Sequence, residues 1–161
     1  MKAAAAALLL VAAAPAGREA VGVFKGWGAF RDATPRRCFA IARPVVANGR
    51  SGGFASVATW PGRGLRASFH IHLSRSRDRS APVTLSIGGA GGERRFALVA
   101  NTADGWAPDA ATDRAIVAAM RGGRSMSVEA VGEGGRPFAD TYALAGAATA
   151  IDAATLACAS A

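Results

Sequence analysis

Two histidines separated by one residue, His70 and His72, are the side chains whose types and spacing most resemble a metal site. Residues i and i+2 of a β-strand point to the same side, so both imidazoles would lie on one face. Such a pair holds zinc or copper when further ligands arrive from elsewhere. No other histidine is present, and the sequence marks no further ligand. We therefore expect histidines that face solvent or a partner, and no cofactor, with a metal site as the alternative.

Three arginines at alternate positions, Arg75, Arg77 and Arg79, lie in a polar segment between two apolar runs. A guanidinium binds carboxylate or phosphate groups through two parallel hydrogen bonds, so three of them on one loop could form a contact surface. The whole chain is basic, with 19 Lys and Arg against 11 Asp and Glu. The segment predicts a surface for an anionic or protein partner. An ordinary solvated loop is the alternative.

Catalytic motifs are weak in this sequence. The residues around Ser51 fit the pattern G-x-S-x-G, but the strand-like run FASVATW follows, where a nucleophile elbow needs a helix. The glycine clusters at 88–92 and 132–135 lack the lysine of a phosphate-binding loop and instead predict hairpin turns. No pair of carboxylates has a spacing suited to acid–base catalysis. We expect a protein that is not an enzyme, and nucleic acid is an unsuitable partner because no aromatic-and-basic pattern is present.

The first 16 residues have the pattern of a secretory signal peptide. Lys2 precedes an apolar run at 3–14, and small residues follow at Ala14 and Ala16. The run is shorter than the roughly 20 residues that cross a bilayer. We expect cleavage after Ala16 and a single mature domain at 17–161 that is periplasmic or secreted and does not span a membrane. Loss of Lys2 lowers the formal charge from +8 to +7.

Cys38 and Cys158 are the two cysteines of the chain. In an oxidising compartment two thiols of a small domain usually pair, so we expect a disulfide between them. The alternative is two separate buried thiols. A disulfide that closes a loop of this length stabilises by about 4–5 kcal/mol in the chain-entropy model.

The elements that must position these residues are mostly short strands. Alternation is clearest at 65–73, where Phe69, Ile71 and Leu73 face one way and the histidines the other. About eight such segments are separated by turns, the first at 23–31 after a frayed terminus at 17–21. Helical spacing occurs at 109–121 and again at 147–158. This predicts a mainly β fold: an antiparallel two-sheet sandwich or jelly-roll-like body with one middle helix and one C-terminal helix.

Four segments together carry a resemblance to a known family. They are the opening from Trp27 to Cys38, the run GGFASVATWPGR at 52–63, the helix and strand at 113–128, and the ending at 142–146 followed by Cys158. These segments resemble the invasion associated locus B family over most of the mature chain. The resemblance implies an exported, β-rich, sandwich-like protein of Gram-negative bacteria. Some members of the family are linked to host-cell invasion, and no established catalytic residues carry over to this sequence.

Overall fold

The computed structural model describes residues 17–47 and 52–159. The predicted signal peptide at 1–16 and the motif serine, Ser51, lie outside these residues. Within them the chain forms strands, two α-helices and a short 3₁₀ turn at Pro61–Arg63. The strands are β1 (Arg18–Phe24), β2 (Trp27–Asp32), β3 (Arg37–Ala42), β4 (Val46–Ala47), β5 (Phe54–Trp60), β6 (Leu65–His72), β7 (Val83–Gly89), β8 (Gly92–Ala100), β9 (Asp104–Trp106), β10 (Gly123–Val131) and β11 (Pro137–Ala143). The helices are α1 (Ala110–Gly122) and α2 (Ala147–Ala159).

The strands form one continuous, curled antiparallel sheet in the order β1-β2-β3-β5-β6-β9-β8-β7-β10-β11-β4. The mainly β prediction with two helices is confirmed, but the arrangement is not clearly the two-sheet sandwich that we expected. The reason lies in β8 and β9. Most of β8 pairs with β7, whereas Val99 and Ala100 at its end pair with β9, and β9 pairs with β6. These bonds join the two halves of the sheet.

The N-terminal part of the sheet also differs from the prediction. The expected single strand at 23–31 is two strands, β1 and β2, which form a hairpin with a turn at Lys25 and Gly26. The expected frayed terminus is ordered, because β1 begins at Arg18 and pairs there with Asp32. Lys25 has a φ of 56°. Since non-glycine residues seldom adopt this conformation, a turn at Lys25 was difficult to predict from the sequence.

Both helices begin and end close to the predicted positions. Asp109 caps α1, where its carboxylate accepts a hydrogen bond from the backbone N–H of Thr112 at 2.7 Å. This contact satisfies one of the unpaired donors at the helix N-terminus. Gly123 follows α1 directly and begins β10. The helix α2 follows a turn at Gly146 and buries alanines, Ile151 and Cys158.

The inner face of the sheet and both helices enclose one hydrophobic core. Trp27, Phe69 and Ile71 are fully buried in it, and the indole N–H of Trp27 donates to the carbonyl of Ala143 at 2.9 Å. The opposite, outer face carries Phe39, Trp60, His70 and their neighbours. None of the helices in the described residues combines the length and the apolar character needed to cross a membrane.

Candidate functional site

His70 and His72 lie on the outer face of β6, half-buried, and both contact the same carboxylate oxygen. The Oδ1 atom of Asp104 in β9 lies 3.0 Å from Nε2 of His70 and 2.8 Å from Nδ1 of His72. Burial alone opposes ionisation of Asp104, but hydrogen bonds from His72 and His70 outweigh it and lower the pKa of this carboxyl. Because an ionised carboxylate only accepts hydrogen bonds, both contacting ring nitrogens carry hydrogens.

Aromatic rings hold the two imidazoles in place. Phe54 of β5 stacks on His72 at 5.3 Å between ring centroids and meets His70 edge-on at 5.5 Å. Trp106 of β9 stacks on His70 from the other side at 5.3 Å and remains 38% exposed. This row of rings is accessible at its edge, and it can offer the remaining imidazole nitrogens and a carboxylate to a polar ligand.

The metal alternative gains no support from this geometry. Across residues 17–47 and 52–159, no group of three or more His, Cys, Asp and Glu side chains is arranged to hold a metal ion.

The sequence analysis did not predict the contact with Asp104, because a strand of three residues shows little periodicity. The sequence did contain one sign of a turn just before Asp104, namely the turn-forming residue Asn101. Its side chain accepts hydrogen bonds from the backbone N–H groups of Ala103 and Asp104.

The structure separates the three arginines that we expected to share a contact surface. Arg77 is only 6% exposed, and its guanidinium donates to backbone carbonyls. The acceptors are Asn101 at 2.7 Å, Asp78 at 2.7 Å, Ala100 at 3.0 Å, Arg79 at 3.4 Å and Ala81. Its assignment as a partner-binding residue is therefore wrong. We expected all three guanidiniums on the exposed surface of one loop, but residues 74–81 wrap around the side chain of Arg77.

The loop at 74–81 is fixed to its neighbours rather than loosely solvated. The backbone N–H of Asp78 donates to the carbonyl of Val131 at 2.8 Å, and Arg77 forms an isolated β-bridge with Gly132. At the start of the loop, the buried Asp140 accepts from the backbone N–H of Ser74 at 2.7 Å and from its hydroxyl at 2.5 Å. The loop consequently holds Arg75 and Arg79, which are both exposed, on a rigid base.

Arg75 illustrates how that base orients an exposed side chain. Its guanidinium carbon lies 5.6 Å from the ring centroid of Phe138 in β11, within the range of a cation–π contact. The contact restrains the guanidinium plane while the side chain stays exposed. Arg75 and Arg79 therefore remain the candidate contact residues of this loop.

The predicted disulfide between Cys38 and Cys158 is present. Cys38 points to the inner face of β3, where α2 packs, so the bond ties the first half of the sheet to the last helix. The guanidinium of Arg36 donates to the carbonyl of Cys158 at 2.5 Å, which satisfies one of the free carbonyls at the helix C-terminus.

Comparison with known proteins adds family and fold. A family model described as "Invasion associated locus B (IalB) protein" matches residues 30–155. The solved structure titled "Crystal structure of invasion associated protein b from bartonella henselae" aligns with a TM-score of 0.62 and 19% sequence identity, covering 84% of this chain and 96% of that one. Comparison with curated proteins gives no match. At this identity the structural likeness concerns the fold.

Proposed function

The chain belongs to the invasion associated locus B family, and from that premise we propose that it is an exported, non-catalytic protein of the cell envelope that binds an anionic or protein partner. Three features support the proposal. The N-terminal sequence has the pattern of a signal peptide, a disulfide suits an oxidising compartment, and the mature chain has a formal charge of +7 after removal of Lys2 from the +8 total.

The observation that carries the proposal is the construction of the loop at 74–81. A loop that only kept the protein soluble would need no internal scaffold, yet here a buried arginine binds the carbonyls of five residues around it. Ordering the loop in advance lowers the entropy cost of binding. Arg75 and Arg79 are the residues that this arrangement presents to a partner.

The test compares the mature protein with the double variant Arg75→Ala/Arg79→Ala. Each is immobilised and incubated with envelope extract of its native host at low and at moderate salt, and the retained proteins are quantified by mass spectrometry. We expect the variant to lose at least five-fold of a partner that the wild type retains at low salt, because screening and charge removal act on the same contact. Arg77 stays unchanged, since its replacement would disorder the loop.

The matched control is Arg94→Ala/Arg95→Ala, which removes the same charge from two exposed arginines on β8. Retention by this control should equal that of the wild type. If the loop variant and the control lose the partner equally, the attraction comes from net charge and the loop is not the contact.

The intact mass of the exported protein tests the proposed signal peptide. A chain that begins at Gly17 is expected, and a chain that begins at Met1 contradicts export by this signal.

A further inference from the structure

Three arginines and two aromatic rings alternate in a row along one end of the outer face of the sheet. The order is Arg18, Phe39, Arg37, Trp60 and Arg63, and we call these five residues the arginine row. From each guanidinium carbon to the adjoining ring centroid the distances are 5.2 Å and 4.3 Å at Phe39, and 4.8 Å and 4.9 Å at Trp60. Each ring therefore has two guanidiniums within the range of a cation–π contact, and the Phe39 ring also stacks on Phe30 at 5.6 Å between centroids.

Strand pairing produces this alternation. β3 and β5 are antiparallel neighbours with Cys38 opposite Thr59, so Phe39 and Trp60 both point to the outer face at the same end of the sheet. Arg37 at the start of β3 lies between the two rings. Arg18 begins β1, and Arg63 ends the 3₁₀ turn that links β5 to β6. The backbone therefore fixes both ends of the row.

The row has an excess of positive charge. Asp32 is the carboxylate that contacts it within the described residues: Arg18 Nε and Arg37 Nη2 lie 2.8 Å and 2.5 Å from its oxygens. The hydrogen bonds from Arg18, and then those from Arg37, lower the pKa of Asp32, so this group is charged at neutral pH. Three guanidiniums thus face one carboxylate, which leaves two positive charges uncompensated locally.

The unused hydrogen-bond donors lie on both sides of Asp32. Arg18 and Arg37 each bind Asp32 through Nε and Nη2, which leaves their Nη1 groups for another acceptor. Arg63 is exposed and forms no ion pair with the described residues. Because Asp32 repels an anion at the point between Arg18 and Arg37, external anionic groups are favoured at separate positions along the row.

We propose that the arginine row binds a linear anionic polysaccharide, a sugar chain with sulfate or carboxylate groups spaced along it. Separate cationic positions suit a ligand whose charges are also separate, and the row supplies such positions at Arg18, at Arg37 and at Arg63. An anionic membrane is less suitable, because the guanidinium carbons of Arg37 and Arg63 lie 4.8 Å and 4.9 Å from the ring centroid of Trp60 and Phe39 is buried. Neither ring therefore forms an open apolar surface for a lipid layer.

Stacking makes the row a prepared site. A guanidinium held against a ring keeps its plane fixed while its N–H edge stays available, so less side-chain entropy is lost on binding. The arginine row is also distinct from the loop at 74–81. It adjoins the first residue of β6, whereas the loop follows the last, and the eight residues of that strand place the two surfaces roughly 25 Å apart.

The test measures binding of defined heparin oligosaccharides to the mature protein and to Arg63→Ala, with tryptophan fluorescence as the first readout and calorimetry as the second. We expect the variant to bind at least five-fold more weakly and with a smaller dependence on salt, because one guanidinium contact is lost. The matched control is Arg94→Ala. Arg94 is also exposed and stacked on a ring, that of Phe96, at 5.2 Å, but it lies on β8.

Several outcomes separate the proposal from its alternatives. Equal weakening in the Arg63 and Arg94 variants would overturn the proposal, and so would the absence of any oligosaccharide binding. Arg63-dependent binding to phosphatidylglycerol vesicles, without binding to the oligosaccharide, would also overturn it. The double variant Arg75→Ala/Arg79→Ala should bind the oligosaccharide like the wild type. Loss of partner binding in that variant with intact oligosaccharide binding would thus bear on the loop at 74–81 alone.

Discussion

Arg77 shows at the residue scale why a basic run does not identify a binding surface. Three arginines alternate with other residues in the sequence, and nothing local distinguishes the middle one. In the structure it is buried while the other two are exposed. A buried guanidinium is tolerated because carbonyl oxygens satisfy its N–H groups. Its role is to hold the loop that displays Arg75 and Arg79.

Replacing this side chain should cost stability. Arg77→Ala leaves several carbonyls without their donor, and we expect the free energy of unfolding to fall by about 3 kcal/mol. Arg79→Ala, on the exposed neighbour, should change it by less than about 0.5 kcal/mol. Urea unfolding of both variants provides the measurement. Similar small effects at the two positions would show that the carbonyl contacts of Arg77 contribute little.

At the scale of secondary-structure elements, the turn between β11 and α2 determines where the last helix packs. Gly146 has a φ of 89°, and a Cβ atom added there would lie 2.0 Å from the carbonyl oxygen of Phe24 at the end of β1. Both the backbone conformation and the close approach require glycine. This contact sets α2 against the hairpin of β1 and β2.

Gly146→Ala should therefore destabilise the protein by at least about 2 kcal/mol, through backbone strain together with the clash at Phe24. Gly134→Ala is the matched control. Its φ is 93°, but a Cβ atom there would meet nothing within 4 Å, so we expect strain alone, about 1 kcal/mol. Thermal unfolding distinguishes the two. Equal losses would mean that the turn relaxes away from Phe24.

Elements with strong local signals were predictable from the sequence, and elements that depend on distant partners were not. The predicted helix at 109–121 agrees with α1 because a capping aspartate and a glycine pair mark its two ends. The hairpin of β7 and β8 was predicted from its glycine cluster. By contrast, β9 has three residues and exists through its bonds to β6 and β8.

In the candidate site, too, local features were predictable from the sequence and contacts between distant residues were not. Alternation along β6 correctly placed His70 and His72 on one half-buried face. Asp104, which joins them, lies 32 residues after His72 and reaches it only because β9 pairs with β6. The stacking of Arg37 between Phe39 and Trp60 likewise depends on the register of two strands. Contacts of this kind arise from topology, which a single sequence specifies only indirectly.

At the scale of the whole molecule, the sheet is continuous where the sequence suggested two packed sheets. Turn signals at regular spacing are compatible with both arrangements, because each contains the same short antiparallel strands. The deciding element is β8, which is long enough to pair with two different strands. The disulfide then closes this single sheet against α2.

Removing the disulfide should lower the stability of the whole domain. The bond joins residues 120 positions apart, so its loss should reduce the free energy of unfolding by about 4–5 kcal/mol in the chain-entropy model. Urea unfolding of Cys38→Ala/Cys158→Ala provides the measurement. The oxidised wild type is the reference, and its reduced form should behave like the variant. A difference below about 1 kcal/mol would indicate that packing of α2 alone holds the domain closed.

The positions of the two cysteines in the sequence also determine when the disulfide can form during synthesis. Cys38 is synthesised 120 residues before Cys158, and until α2 has emerged it has no partner thiol within the chain. The covalent bond can therefore form only after nearly all of the sheet is available to pair. Oxidation of this pair consequently marks the completion of the domain, and a chain that ends before α2 keeps Cys38 as an unpaired thiol.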